Sequence, residues 1–277
     1  MPAMPDTSLP LVVAALLAAG AGAGFAGGMF GIGGGFVVVP ALMLVLPLIG
    51  APSEQLAHLA VGTSLATIIF TSLRSVLAHA RREAVDASVL RSWAPWVVLG
   101  TVGGAAIADL ISSAMLASVF GAGVLLMAIH FLMPGFEVKP VATEMPGGAV
   151  RAGLAGGLGL FSAMLGIGGG TITTMVMTMC GSPIHRAIGT ASGMGALIAV
   201  PGVIGFVVIG LGEQGLPFGS LGYVNLPAAL AVIVTAILFA PLGVAAAHRL
   251  SPALLKRVFG IYLVVVGATM IAKSGVI

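Results

Sequence analysis

Charge is what this sequence has least of. Only 7% of its 277 residues are charged, where a soluble globular domain carries about 25%. Such a chain cannot cover a water-facing surface, and no polar stretch is long enough to form a separate soluble domain. Carboxylates are scarce and do not cluster in the apolar segments, which disfavours a site for a hard divalent cation. No run of basic residues could track phosphates, which excludes nucleic acid as a partner. The single cysteine, Cys180, leaves no intramolecular disulfide. No GxxxxGK[ST] occurs, and Gly31, Gly33 and Gly35 do not complete a dinucleotide fingerprint in a soluble βαβ unit, so no cofactor is expected. The first ten residues lack a basic n-region, and the apolar run after them leads into a glycine cluster. It reads as a first membrane segment rather than a cleaved signal.

What is abundant is apolar surface and glycine, with 59% hydrophobic residues and 42 glycines. The bilayer is therefore the solvent. Ten apolar segments can be read, at about 9–30, 36–49, 57–80, 92–110, 113–133, 150–165, 171–181, 186–210, 223–247 and 252–273. A full crossing needs about 20 residues. Segments 36–49 and 171–181 are shorter, and each follows a GIGGG, at Gly31–Gly35 and Gly166–Gly170. They look like half-helices that begin inside the membrane.

The halves resemble each other. The GIGGG motifs lie 135 residues apart, and His58 to Thr63 matches His185 to Thr190 at 127. Val85-Asp86 matches Val224-Asn225, and Val119-Phe120-Gly121 matches Val258-Phe259-Gly260, both at 139. A duplicated unit explains this order of blocks, with residues 1–138 as one repeat and 139–277 as the other. Five segments per unit is odd, so the repeats would be inverted. Strict alternation then gathers ten of the eleven basic residues on one side: Arg74, Arg81, Arg82, Arg91, Lys139, Arg151, Arg186, Arg249, Lys256 and Arg257. Glu54, Asp109, Glu213 and Lys273 fall on the other. The basic side is the cytoplasm, which leaves both termini outside a plasma-membrane protein.

Irregular backbone at membrane depth is tolerated where it lines a cavity or is buried in protein. A short helix starting after each GIGGG aims free amides at the break, an arrangement that suits an anion, and paired breaks are the layout of secondary transporters. Close helix packing is the competing use of such glycines. The expected site therefore takes in Gly31, Gly33, Gly34 and Gly35 with Gly166, Gly168, Gly169 and Gly170. Hydroxyls of Thr63, Ser64, Thr190 and Ser192 and the imidazoles of His58 and His185 could donate to an oxyanion; bonding to the helix's own carbonyls is the alternative. Arg74 is ionisable within an apolar segment, and snorkelling to the surface competes with a role in the site. Trp93 and Trp96 read as an interfacial belt. His79 and Asp86 flank the basic loop and read as interfacial.

With these motifs in hand, the chain resembles the TauE/SafE family over nearly its whole length. The carriers are Gly31–Gly35 with Pro40, Gly62-Thr63-Ser64, His79 through Val85-Asp86, and the second copies at Gly166–Gly170 and Gly189-Thr190. The second half departs by having no counterpart of Pro40 and by carrying Asn225 in place of the acidic residue. The resemblance implies export of small sulfur-containing anions such as sulfite or organosulfonates. The expectation is an all-α integral membrane transporter of two inverted repeats, not an enzyme, working by alternating access. Its partners are a small anion and the lipid bilayer, and a homo-oligomer is open. Two alternatives stand. One is an intramembrane serine hydrolase using Ser192 in Gly189-Thr-Ala-Ser-Gly193, with His185 near in sequence. The other is a membrane subunit without a pathway of its own.

Overall fold

The computed structural model describes residues 8–30, 33–132, 142, 144–247 and 252–274. Within them each apolar run becomes a helix: α1 Ser8–Phe30, α2 Gly35–Val45, α3 Leu56–Ala80, α4 Ala87–Leu110, α5 Ser113–Leu132, α6 Gly148–Leu165, α7 Gly170–Met179, α8 Ile184–Ile209, α9 Leu226–Ala247 and α10 Pro252–Ser274. Six stretches are long and apolar enough to cross a membrane: Leu9–Phe30, Ser53–Ala80, Ala87–Leu110, Gly148–Leu165, Ile184–Ile209 and Leu226–Gly243. The chain is an all-α, multi-pass membrane protein. The expected start of the fourth segment moves from 92 to 87 because Asp86 caps the helix there, its carboxylate accepting from the Ser88 and Val89 amides. The ninth moves from 223 to 226 because residues 220–225 form a small antiparallel hairpin, β1 Ser220–Leu221 and β2 Val224–Asn225.

The glycine clusters break the helical chain before two short helices. Helices α2 and α7 have only 11 and 10 residues, and each is preceded by a left-handed glycine, Gly34 at φ 81° and Gly169 at φ 63°. Glycine occupies this region without steric cost. Gly34 lies against Ala23 and α2 folds back along α1, whereas α7 packs chiefly on α8, where Gly169 meets Ile198. The two turns meet, with Gly35 pressed on the Gly166 carbonyl and on Ile167.

Between the remaining helices, small residues let backbones touch, as membrane packing requires. Gly20, Gly24 and Gly28 of α1 sit on Val232, Ala236 and Ala240 of α9, the two helices running parallel. Gly100 and Gly104 of α4 meet Gly156 and Leu160 of α6, again in parallel. Helix α3 is antiparallel to α8, since Gly195 lies by Ser72 while Gly202 lies by Leu65. Helix α5 is antiparallel to α10, where Gly121 meets Ile271 and Gly260 meets Leu132. Exchanging α1–α5 with α6–α10 maps α1–α9 onto α6–α4 and returns α3–α8 and α5–α10 to themselves. Trp93 is 2% exposed and belongs to the buried core rather than an interfacial belt; Trp96, at 39%, reaches the surface. Lys139, Arg249 and the 138/139 boundary lie outside the described residues, as does Gly31.

Candidate functional site

The repeated Gly-Thr pairs do the same job twice. At Gly62 of α3 the missing side chain admits the carbonyl of Tyr223, and at Gly189 of α8 that of Ala84. The next residue then takes an amide: Asn225 donates its N–H to Thr63 Oγ1 at 2.9 Å, and Asp86 donates its own to Thr190 Oγ1 at 2.8 Å. Asn225 Oδ1 in turn caps α9 by accepting from Ala228 N at 3.0 Å, as Asp86 caps α4. Each clasp joins one half of the chain to the other. Thr63 and Thr190, both 0% exposed, are thus bound to backbone, and Thr190 also donates to the Arg186 carbonyl at 2.8 Å. Ser64 donates to the Gly166 carbonyl at 2.9 Å, tying α3 to the second turn.

The Arg186 guanidinium pairs with the Asp86 carboxylate at 3.0 Å, an ion pair that stands at the α8–α4 clasp and has no charged counterpart at Asn225. The Ser88 hydroxyl, with further help from the Val89 amide and Arg186, holds the Asp86 carboxyl below its ordinary range. The two histidines part ways. His58 is buried, and His185 is exposed in the first turn of α8.

The glycine turns part ways as well. Gly166 through Gly170 are buried, with Gly166 against Val39 and Val61 and Gly169 against Leu158, Ser162 and Ile198. Of the first turn, Gly34 and Gly35 are buried too, while Gly33 faces a narrow recess of about 10 Å³. Thr71, Ser72 and Ser75 of α3 and Ser192 of α8 supply its hydroxyls, and Gly24, Gly27 and Gly28 of α1 its opposite wall. Ser75 and Ser192 are 2.9 Å apart, oxygen to oxygen, bridging α3 and α8. Gly28, Ser75 and Ala240 line this recess and also a larger cavity of about 360 Å³. That cavity is walled by Arg74, Arg81, Arg82 and His79 on one side and by Pro241 and Ala245 of α9 on the other. Arg74 therefore stands, exposed, at the mouth of a funnel whose neck is hydroxyl and glycine.

Of the residues expected at the site, Gly33 and Ser192 line the recess and Arg74 the larger cavity, while Thr71, Ser72 and Ser75 of the recess were not among them. Their signal is periodic: Thr67, Thr71 and Ser75 recur every four residues, one face of a helix, running on from Ser64. The Thr71 hydroxyl bonds Thr67 O at 3.2 Å and reaches Gly33 O at 3.3 Å, so one residue serves helix and turn together. Ser192 lies in the interior of α8 and donates to Ile188 O at 3.1 Å.

Comparison with known proteins agrees with this architecture. The family profile described as "Sulfite exporter TauE/SafE" matches residues 16–270. A "Probable membrane transporter protein" from Haemophilus influenzae is 33% identical across 93% of this chain and 97% of its own length. Another of that description from Methanocaldococcus jannaschii is 27% identical across 94% and 96%, and one from Bacillus subtilis is 24% identical across 91% and 94%. No solved structure matches the chain. A chain matched by the profile over nearly all of its helices, and similar end to end to these transporters, belongs to the sulfite exporter TauE/SafE family.

Proposed function

We propose that this transporter exports a small sulfur-containing oxyanion, of the sulfite or organosulfonate type, across the plasma membrane by alternating access. One observation carries the reading: the basic cavity narrows onto a neck of hydroxyls beside a glycine turn. Arginines at a mouth concentrate anions by attraction. The neck offers O–H dipoles and backbone, which hold an oxyanion without the fixed opposite charge that would slow its release.

At about 10 Å³ the neck admits little more than a water, so passage requires Ser75 and Ser192 to separate, and with them α3 and α8. These helices are repeat counterparts and run antiparallel. That direction, the exchange symmetry of the pairings and the paired clasps support two inverted repeats, 1–138 and 139–277. In such a pair, motion that opens one end closes the other. Arg81, Arg82 and Arg186 gather at one end of the α3–α8 pair and Asp109 and Glu213 at the other. This supports a cytoplasmic vestibule and external termini. For a cell negative inside, each charge moved through 100 mV gains about 2.3 kcal/mol, which favours anion exit without ATP.

The test is labelled sulfite efflux from liposomes holding this chain alone. A saturable efflux, faster with an imposed inside-negative potential, and reduced about tenfold or more in Ser75→Ala/Ser192→Ala, a loss of about 1.4 kcal/mol, is expected. Saturable flux that the double variant leaves unchanged removes the neck from the mechanism. Absence of saturable flux for any sulfur oxyanion removes the proposal.

A further inference from the structure

We infer that His58 is a proton-binding site at the acidic end of α3, and that its protonation from the outer solution is coupled to anion movement. The inference rests on the transport reading above for the coupling, but not for the proton site.

His58 is 5% exposed. Its Nε2 lies 2.8 Å from the Ala108 carbonyl of α4. A carbonyl only accepts, so Nε2 carries the ring proton and Nδ1 is left as a bare lone pair. No group among the described residues reaches Nδ1. A bare interior nitrogen without a partner is costly, and an imidazole can take up a proton near neutral pH, here with two carboxylates close enough to offset the charge. The groups facing it come from three elements. Burial works against a charge on the ring, while Asp109 at the end of α4 and Glu213 after α8 favour it by their own charge; both carboxylates are exposed to solution. Tyr223 of the hairpin stacks on it, with centroids 5.0 Å apart and planes 29° from parallel. Burial first, and then the nearby Glu213 carboxylate, push the Tyr223 phenol up to about 12. Tyr223 therefore stays a neutral hydroxyl. Gln55, just before α3, donates its side-chain N–H to the Glu213 carboxylate at 2.6 Å.

Proton uptake is a single step: the Nδ1 lone pair binds H⁺ from the outer water, one N–H bond forms, and the imidazolium gains Asp109 and Glu213 as counter-charges. The new charge lies against the hairpin that Gly62 and Thr63 clasp to α3. The same rigid helix carries Ser75, about 25 Å further on at 1.5 Å per residue. Counterpart His185 is exposed.

Two readouts test this. In ¹⁵N-histidine-labelled protein in nanodiscs, His58 is identified by the signal that His58→Gln removes. Its Nδ1 resonance is expected to move from the bare to the protonated position on the acid side of the ordinary imidazole range, as the pH falls from about 6.5 toward about 5. In liposomes, wild-type sulfite flux is expected to change several-fold with outer pH over that range, and His58→Gln flux to stay flat. Should His58→Gln fail to fold, Asp109→Asn keeps the ring and removes one counter-charge, so more acid is needed for the same shift. A resonance that stays fixed, or a pH response of flux identical in wild type and His58→Gln, overturns the inference. Absent flux with a titrating resonance strikes the transport reading and the coupling, and leaves the proton site standing.

Discussion

At Gly189 the carbonyl of Ala84 occupies the space where a side chain would begin. Gly189→Ala therefore has to push out the loop between α3 and α4, and with it the Asp86 amide that Thr190 accepts. Overpacking of this kind costs about 1–3 kcal/mol. A lowered melting temperature is expected for Gly189→Ala and for Gly62→Ala at the matching clasp. Gly103→Ala, in α4 with open space around it, should be neutral or slightly stabilising, because alanine is the better helix former. Equal effects at all three positions would contradict the clasp. These glycines and their threonines were visible in the sequence as a repeated pair. Their work was not, because a hydroxyl's composition and spacing do not tell whether it meets a cargo or a backbone amide. Thr63 and Thr190 meet amides from the other half of the chain, 162 and 104 residues away.

The helix α4 starts where it does because of Asp86. Its carboxylate accepts from the Ser88 and Val89 amides and pairs with Arg186. Loss of such a cap costs about 1 kcal/mol. The carboxyl is held below its ordinary range, so its stabilising contribution is complete above the unfolded value, about pH 4. It is lost as pH falls through the lower folded value. Asp86→Ala is expected to melt lower than wild type at neutral pH, with the gap closing on acidification below about pH 4. A gap constant over the whole range would assign the loss to packing instead. Element existence was largely legible, including the shortness of α2 and α7, since the apolar runs 36–49 and 171–181 that follow each GIGGG are shorter than the roughly 20 residues of a full crossing. The hairpin at 220–225 was not legible. It is too short to show periodicity, and what holds it is partly tertiary, the Gly62 contact and Thr63, and partly local, the Asn225 side-chain Nδ2 donating to Phe218 O and Ser220 Oγ.

Orientation is a property of the whole molecule, and the chain carries its own probe. Cys180 is its only cysteine; it closes α7 and lies four residues before α8 begins, at the end bearing Arg186. With that end cytoplasmic, a membrane-impermeant maleimide is expected to label Cys180 in inverted vesicles and to leave it unlabelled in intact cells. Labelling of intact cells alone would reverse the orientation. Alternation of segments and the sidedness of charge are expectations from counting, and this labelling tests them. Which helix packs on which could not be read before any coordinates. Helices α1 and α9, or α4 and α6, are joined by small residues that occur throughout the chain, and nothing in one seam names its partner.

That pattern of partners has a consequence for how the chain comes into being. Helix α1 finds its seat on α9 and α4 finds its seat on α6, so neither set of five helices is complete by itself. Until the last third of the polypeptide has been inserted, the glycine ridge of α1 faces lipid, and a fragment ending at the midpoint could fill its vacant seams only from a second molecule of the same fragment.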